Sequence, residues 1–176
     1  PSGAPIWPAG ITGSISHTQS RPLEKSGAET VAAAIVGDST AAASVGLDLE
    51  DLRRSIDEGV MNRTCLPEES AWVLAGDKAA SPATKQRDEG PLSDPSLLSR
   101  SERLIYILSC KEALYKTLHP LTGVYLGFND ALVSPHTAAI SLKREVSSEW
   151  SLGRSLAIKT RIVGELLIVW ILAEKI

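Results

Sequence analysis

Val45-Gly46-Leu47-Asp48-Leu49-Glu50 alternates apolar residues with small or acidic ones at every step. Side chains point to opposite faces of a strand in turn, so Val45, Leu47 and Leu49 share one face and Gly46, Asp48 and Glu50 the other. The segment reads as a strand with one face for a core and two carboxylates on the opposite face. Like charges that close repel unless a cation or a proton lies between them. Hard oxygen donors suit Mg²⁺, which takes one or two carboxylates together with waters and substrate phosphates. Gly46 opens the backbone to close approach. The plain alternative is a half-exposed strand whose polar face is simply wet.

Upstream of this strand, Ile11–Thr18 is rich in β-branched residues and also reads as a strand. Val31–Gly37 is small and apolar, Gly37-Asp38-Ser39 supplies turn chemistry, and Ala43–Glu50 follows as the second strand of an antiparallel hairpin. Downstream, Asp51–Met61 reads as a short helix. A further helix starts near Leu66-Pro67-Glu68-Glu69 and stops at Gly76. Residues 76–101 carry almost no large apolar side chain before Leu97 and read as a surface loop or flexible insertion. Ser101–His119 is strongly periodic and ends at Pro120. Leu132–Val133, Ala138–Leu142, Leu156–Arg161 and Leu166–Leu172 are strand candidates. Hairpin, helices, then strands predict an α+β fold.

Composition narrows the function. A net charge of −3 offers no global positive field for nucleic acid, although a local basic patch for a phosphorylated ligand fits within it. The apolar run Leu166–Ala173 is far short of the roughly 20 residues a membrane-spanning helix needs. Pro1–Pro8 lacks a basic region followed by an apolar core, so it does not read as a signal peptide. Cys65 and Cys110 form no CxxC pair, and the expectation is a reduced, cytoplasmic protein with two free thiols.

Two more stretches carry chemistry. On a helix through Leu108-Ser109-Cys110-Lys111-Glu112-Ala113-Leu114-Tyr115-Lys116, the residues Leu108, Glu112, Tyr115 and Lys116 lie along one stripe. Glu112 and Lys116 either form a surface ion pair or divide between a metal and a phosphate. In Gly13-Ser14-Ile15-Ser16-His17-Thr18, small residues and hydroxyls before a histidine suit a phosphate; a strand-end histidine with a satisfied hydrogen bond is the commoner case. His119 and His136 have no such context.

Taken in order, Trp7-Pro8, Gly-Ser-Ile-Ser-His-Thr, Gly-Leu-Asp-Leu-Glu and Ser-Cys-Lys-Glu-Ala-Leu-Tyr-Lys resemble the successive motifs of the 4′-phosphopantetheinyl transferases. The likeness is greatest to their larger, monomeric branch, which holds the enterobactin-type and surfactin-type enzymes, and Tyr125-Leu126-Gly127-Phe128-Asn129-Asp130-Ala131 is similar to that branch's segment after the Lys-Glu helix. The resemblance implies a pseudo-dimeric α+β fold of antiparallel sheets packed with helices. Residues 1–50 would be the remainder of the first half and 51–176 the second, with a flexible insertion at 76–101. It implies a transfer of phosphopantetheine from coenzyme A to a serine of an apo acyl or peptidyl carrier protein, releasing 3′,5′-ADP, with no nucleic-acid or membrane partner.

The site follows from the same resemblance. Asp48, Glu50 and Glu112 would bind Mg²⁺. Ser16 and His17 would meet the nucleotide phosphates, Lys116 the pyrophosphate, and Lys111 a further phosphate or the adenine side. The general base would be a glutamate between the two acidic motifs, where Glu68 and Glu69 stand and Glu68 is preferred; the alternative is a pair of ordinary first-turn acids. Leu108 replaces the family's Phe or Trp and keeps apolar packing. The family's segment ahead of Trp-Pro, which supplies basic residues for the 3′-phosphate, is missing from the quoted residues. Two other classes compete: a non-catalytic coenzyme A or carrier-protein binding module, and a Mg²⁺-dependent phosphodiesterase or nucleotide-binding domain.

Overall fold

The structure is a computed structural model and describes residues 5–20, 27, 29–76 and 89–175. Three long strands come first: β1 (Ile11–Ser20), β2 (Glu29–Asp38) and β3 (Ala42–Asp51). Helices α1 (Glu58–Thr64), α2 (Pro67–Leu74) and α3 (Arg100–Thr122) follow, then β4 (Ala131–Ser134), β5 (Ala139–Leu142), β6 (Ser155–Val163) and β7 (Leu166–Glu174). β1 and β2 form an antiparallel two-stranded ribbon, and the other strands form an antiparallel sheet ordered β3-β7-β6-β5-β4. The α+β class expected from the sequence is the one observed.

The expected hairpin is rearranged. β2 pairs with β1, from Ile11 opposite Asp38 to Ser20 opposite Glu29, whereas β3 pairs with β7, Leu47 opposite Trp170. β3 is buried on both faces for most of its length, and β7 brings it Leu167, Val169 and Ile171. A thin Ser/Thr-rich ribbon has no apolar surface of that kind to offer. β3 comes from one side of the division expected at residue 50 and its sheet partners from the other.

β1 lies along the open edge of β3 through hydroxyls. Thr12, Ser14, Ser16, Thr18 and Ser20 alternate inward and are all buried. Ser14 Oγ accepts the Leu47 N–H at 2.9 Å and Ser16 Oγ accepts the Leu49 N–H at 3.3 Å. Strand donors with no neighbouring strand are thereby satisfied two residues apart.

α3 packs on β3 and β7. Gly46 makes this possible: a Cβ there would fall on the Ala113 carbonyl and the Thr117 side chain. Ser99 and Glu102 form a reciprocal cap at the start of α3, the Ser99 N–H reaching Glu102 Oε2 at 2.8 Å. The helix runs through Pro120, where the sequence placed its end. A proline so near the C-terminus removes one hydrogen bond and keeps a helical φ, and Gly123 at φ 67° closes the helix three residues later.

Two other expectations change. The helix predicted over Asp51–Met61 is strand to Asp51, with α1 starting at Glu58 behind Asp57, whose side chain accepts the Val60 N–H at 3.1 Å. Of the stretch 76–101, residues 77–88 lie outside the described residues. From Gly90 onward it is built into the fold: Gly90 exchanges two backbone hydrogen bonds with Ile162, and Arg103 donates to the carbonyls of Trp72, Ser96 and Leu98. Among the described residues no helix is long and apolar enough to cross a membrane.

Candidate active site

Asp48 is the junction of three elements. It is 5% exposed, on the face of β3 that α3 covers. Oδ1 accepts from Ser16 Oγ of β1 at 3.0 Å and from Lys116 Nζ of α3 at 2.7 Å. Oδ2 accepts from Ser109 Oγ at 2.8 Å. Lys116 also donates to Ser16 Oγ at 3.1 Å, closing a ring of Ser16, Asp48 and Lys116. Ser109 and Lys116 are seven residues apart, two helical turns, so both look at β3, and Glu112 sits between them. Sequence reasoning missed Ser109; its i, i+7 relation to Lys116 was the available signal.

Glu50 and Glu112 feel the same aspartate. Burial pushes the Glu50 carboxyl up from its ordinary value and Asp48 pushes it further, while Arg54 and Lys116 pull it back. Burial likewise raises the Glu112 carboxyl, Asp48 adds to the rise, and Lys116 opposes it. Asp48, Glu50 and Glu112 therefore share one electrostatic neighbourhood. They are not closed on an ion: among the described residues no three His, Cys, Asp or Glu side chains are placed to hold a metal. Asp48 is paired with Lys116, and Glu50 is paired with Arg54, whose Nη1 lies 3.1 Å from Oε2. The donor chemistry, hard carboxylate oxygens under mutual repulsion, fits a divalent cation such as Mg²⁺.

Among the described residues, three cavities border this cluster. One of about 740 Å³ is lined by His17, Thr18, Glu50, Arg53 and Arg54 among others. His17 is exposed on the outer face of β1. Arg53 is held by Asp51 through two contacts, Nε to Oδ1 at 3.0 Å and Nη2 to Oδ2 at 2.7 Å, and by Ser20 Oγ at 2.8 Å. A second cavity, about 130 Å³, lies beside Glu112 and is walled by Tyr115, Tyr125, Leu126 and Phe128. A third, about 300 Å³, is bounded by Trp7, Gly13, Tyr115, Lys116 and His119. Tyr115 separates the last two, with its ring 5.6 Å from Tyr125 and 5.0 Å from His119. Trp7 lies on Gly13, where a Cβ would come within 2.7 Å of the indole ring.

Lys111 does not join the cluster. Its ammonium is buried, and its three donors are spent on Glu69 Oε2 at 2.6 Å, Thr64 O at 2.7 Å and Phe128 O at 2.7 Å. The expected phosphate contact is thus replaced by an internal tie between α1, α2, α3 and the segment before β4. Glu69 completes it by accepting the Leu66 and Val133 N–H groups, each at 2.7 Å. Glu68 is exposed in the first turn of α2 and shares no hydrogen bond with Ser16, Asp48, Glu50, Glu112 or Lys116. Of the two adjacent glutamates, the structure builds in Glu69. Cys65 and Cys110 are both free and buried, and burial pushes the Cys65 thiol up to about 11.

The family model for the 4′-phosphopantetheinyl transferase superfamily matches residues 44–164. The chain is 34% identical over 129 residues to the 4′-phosphopantetheinyl transferase Svp of Streptomyces mobaraensis, covering 73% of this chain and 41% of that protein. It is 30% identical over 132 residues to the transferase Npt of Nocardia iowensis, 75% of this chain and 45% of that one. The transferase PptT of Mycobacterium tuberculosis is 30% identical over 135 residues, 77% of this chain and 46% of its own length. The chain spans less than half the length of the curated relatives it matches.

Proposed function

This chain belongs to the 4′-phosphopantetheinyl transferase superfamily, and on that premise we propose that it moves the phosphopantetheine arm of coenzyme A onto a serine of an apo acyl or peptidyl carrier protein, releasing 3′,5′-ADP. The observation that carries the reading is the junction at Asp48, where Ser16, Ser109 and Lys116 meet on one carboxylate. Three motifs far apart in sequence supply one cluster. We also place the chain in the larger branch, on the strength of the Tyr125–Ala131 segment.

Asp48, Glu50 and Glu112 would hold Mg²⁺, which when bound neutralises the diphosphate and the departing charge. Lys116 and His17 bind and orient the phosphates, Lys116 from the cavity of about 300 Å³ and His17 from the rim of the large one. Ser16 fixes Lys116 and Asp48 in register. The small cavity beside Glu112, walled by Tyr115, Tyr125, Leu126 and Phe128, suits the pantetheine arm. The serine oxygen attacks the β-phosphorus, the bond to the departing 3′,5′-ADP breaks, and the serine proton leaves to a base. Glu68 remains the candidate for that proton from the sequence; its exposure and lack of any bond to the cluster favour a first-turn acid instead.

Mass spectrometry of an apo carrier protein incubated with the chain, coenzyme A and Mg²⁺ tests the reading. A phosphopantetheine adduct that disappears on chelation supports it. Coenzyme A binding with neither adduct nor 3′,5′-ADP would leave a binding module, and 3′,5′-ADP released without carrier protein would point to a phosphodiesterase.

A further inference from the structure

Asp48 and Glu50 are each matched by a cation from their own chain. Lys116 Nζ stands 2.7 Å from Asp48 Oδ1, and Arg54 Nη1 stands 3.1 Å from Glu50 Oε2. Neither pair is sealed. The Lys116 side chain is 27% exposed and that of Arg54 53%. Each cation also opens onto a cavity with room for an anionic ligand, Lys116 onto the one of about 300 Å³ and Arg54 onto the one of about 740 Å³.

We propose that Lys116 and Arg54 are exchangeable counter-ions: they neutralise Asp48 and Glu50 until a divalent cation takes those oxygens, and then present their charges to the phosphates of the co-substrate. The inference rests on the Mg²⁺-dependent reading above. Charge balance supports it. A divalent cation brings the same two positive charges that Lys116 and Arg54 hold against the two carboxylates, and a diphosphate needs the two that are released. Metal alone must displace Lys116 from an oxygen that Ser16 also shares, so it binds weakly. Anion alone must compete with two carboxylates for the same cations. Each ligand removes the other's obstacle, and the coupling is reciprocal because both draw on one equilibrium.

Titrating the chain with Mg²⁺ by calorimetry, with and without saturating coenzyme A and with no carrier protein present, tests this without any turnover. In the unmodified chain coenzyme A is expected to tighten Mg²⁺ by about tenfold or more. Lys116→Met keeps the apolar stem and removes the charge; it is expected to tighten Mg²⁺ alone about tenfold and to cut the coupling to under about threefold. Arg54→Met, on a side chain exposed enough not to threaten folding, is expected to shift both in the same direction by about two- to threefold. Unchanged or weaker Mg²⁺ binding in both variants overturns the exchange, as does an unmodified chain whose Mg²⁺ affinity ignores coenzyme A. Failure of the unmodified chain to bind Mg²⁺ at all sinks the exchange and the Mg²⁺-dependent reading together, so the two failures are told apart.

Discussion

Lys111 and Lys116 stand five residues apart on α3, which turns them about 140° from each other around the helix axis. Lys111 points to the α2 side, is 3% exposed, and meets a glutamate exposed to 0%. Every donor it has is used, and every oxygen of Glu69 is used in return. Lys116 points to β1 and β3, is 27% exposed, and makes two contacts with its three donors, one of them to a carboxylate crowded by two others. The same ammonium group is a fixed tie in one place and a movable charge in the other. What separates them is whether the partner set is complete and whether water and ligands can reach it.

Breaking the tie should be the largest effect. Lys111→Ala leaves Glu69 charged in the core and two carbonyls without a donor, at a cost of about 3–5 kcal/mol in urea unfolding. The double change Lys111→Met with Glu69→Leu should recover much of that, because it removes both charges rather than one. A small loss for Lys111→Ala would erase the contrast between the two lysines.

On the other side, Asp48→Ala should lower the rate of adduct formation about 10²–10³-fold, roughly 2.7–4 kcal/mol of transition-state stabilisation, while shifting the unfolding midpoint less than Lys111→Ala does. A variant that loses more stability than activity would make Asp48 structural. Gly46→Ala tests the seat of α3 itself. Its methyl must push the Ala113–Thr117 turn off β3, with an expected destabilisation of about 1–3 kcal/mol.

The acidic cluster also predicts a pH dependence. Glu50 and Glu112 hold their protons more tightly in the folded chain than at their ordinary value of 4.5. The folded state therefore binds more protons, and their contribution is complete below that value and lost as pH rises through the folded pKa values. Without divalent cation, Tm should fall over that window, and Glu112→Gln should flatten the fall and raise Tm at neutral pH. A Tm profile unchanged by Glu112→Gln would mean that the cluster carries no such repulsion. The smallest effect belongs to Glu68→Gln, expected within about 0.5 kcal/mol in stability and within about threefold in kcat; a fall of about 10²–10⁴-fold would restore Glu68 as the base.

Much of the fold was legible because periodicity reports burial directly. The strands from Ala131 to Glu174 and the long helix were readable from apolar spacing alone. Which strands pair was not, because β1, β2 and β3 all carry strand patterns, and only the supply of apolar surface in β7 settles where β3 goes. At the site, Asp48, Glu50, Glu112 and Lys116 could be named from motif order. Ser109 looked like one serine among many, and Arg54 like a charge in an apparent surface helix. Lys111 was misread because its neighbour in sequence is a site residue while its neighbours in space are Glu69, Thr64 and Phe128.

By itself the chain of residues determined the α+β class, the alternation that puts two carboxylates on one face of β3, and the stripe that carries Glu112 and Lys116. These depend on local periods of two and 3.6 residues, which a sequence displays openly. Only tertiary structure decided that Lys116, not Lys111, faces those carboxylates, that Glu69, not Glu68, is drawn inside, and that Lys116 and Arg54 stand against Asp48 and Glu50. Burial and partner choice arise from surfaces that meet across long stretches of chain, as Ser16 meets Lys116, and no local pattern encodes that meeting.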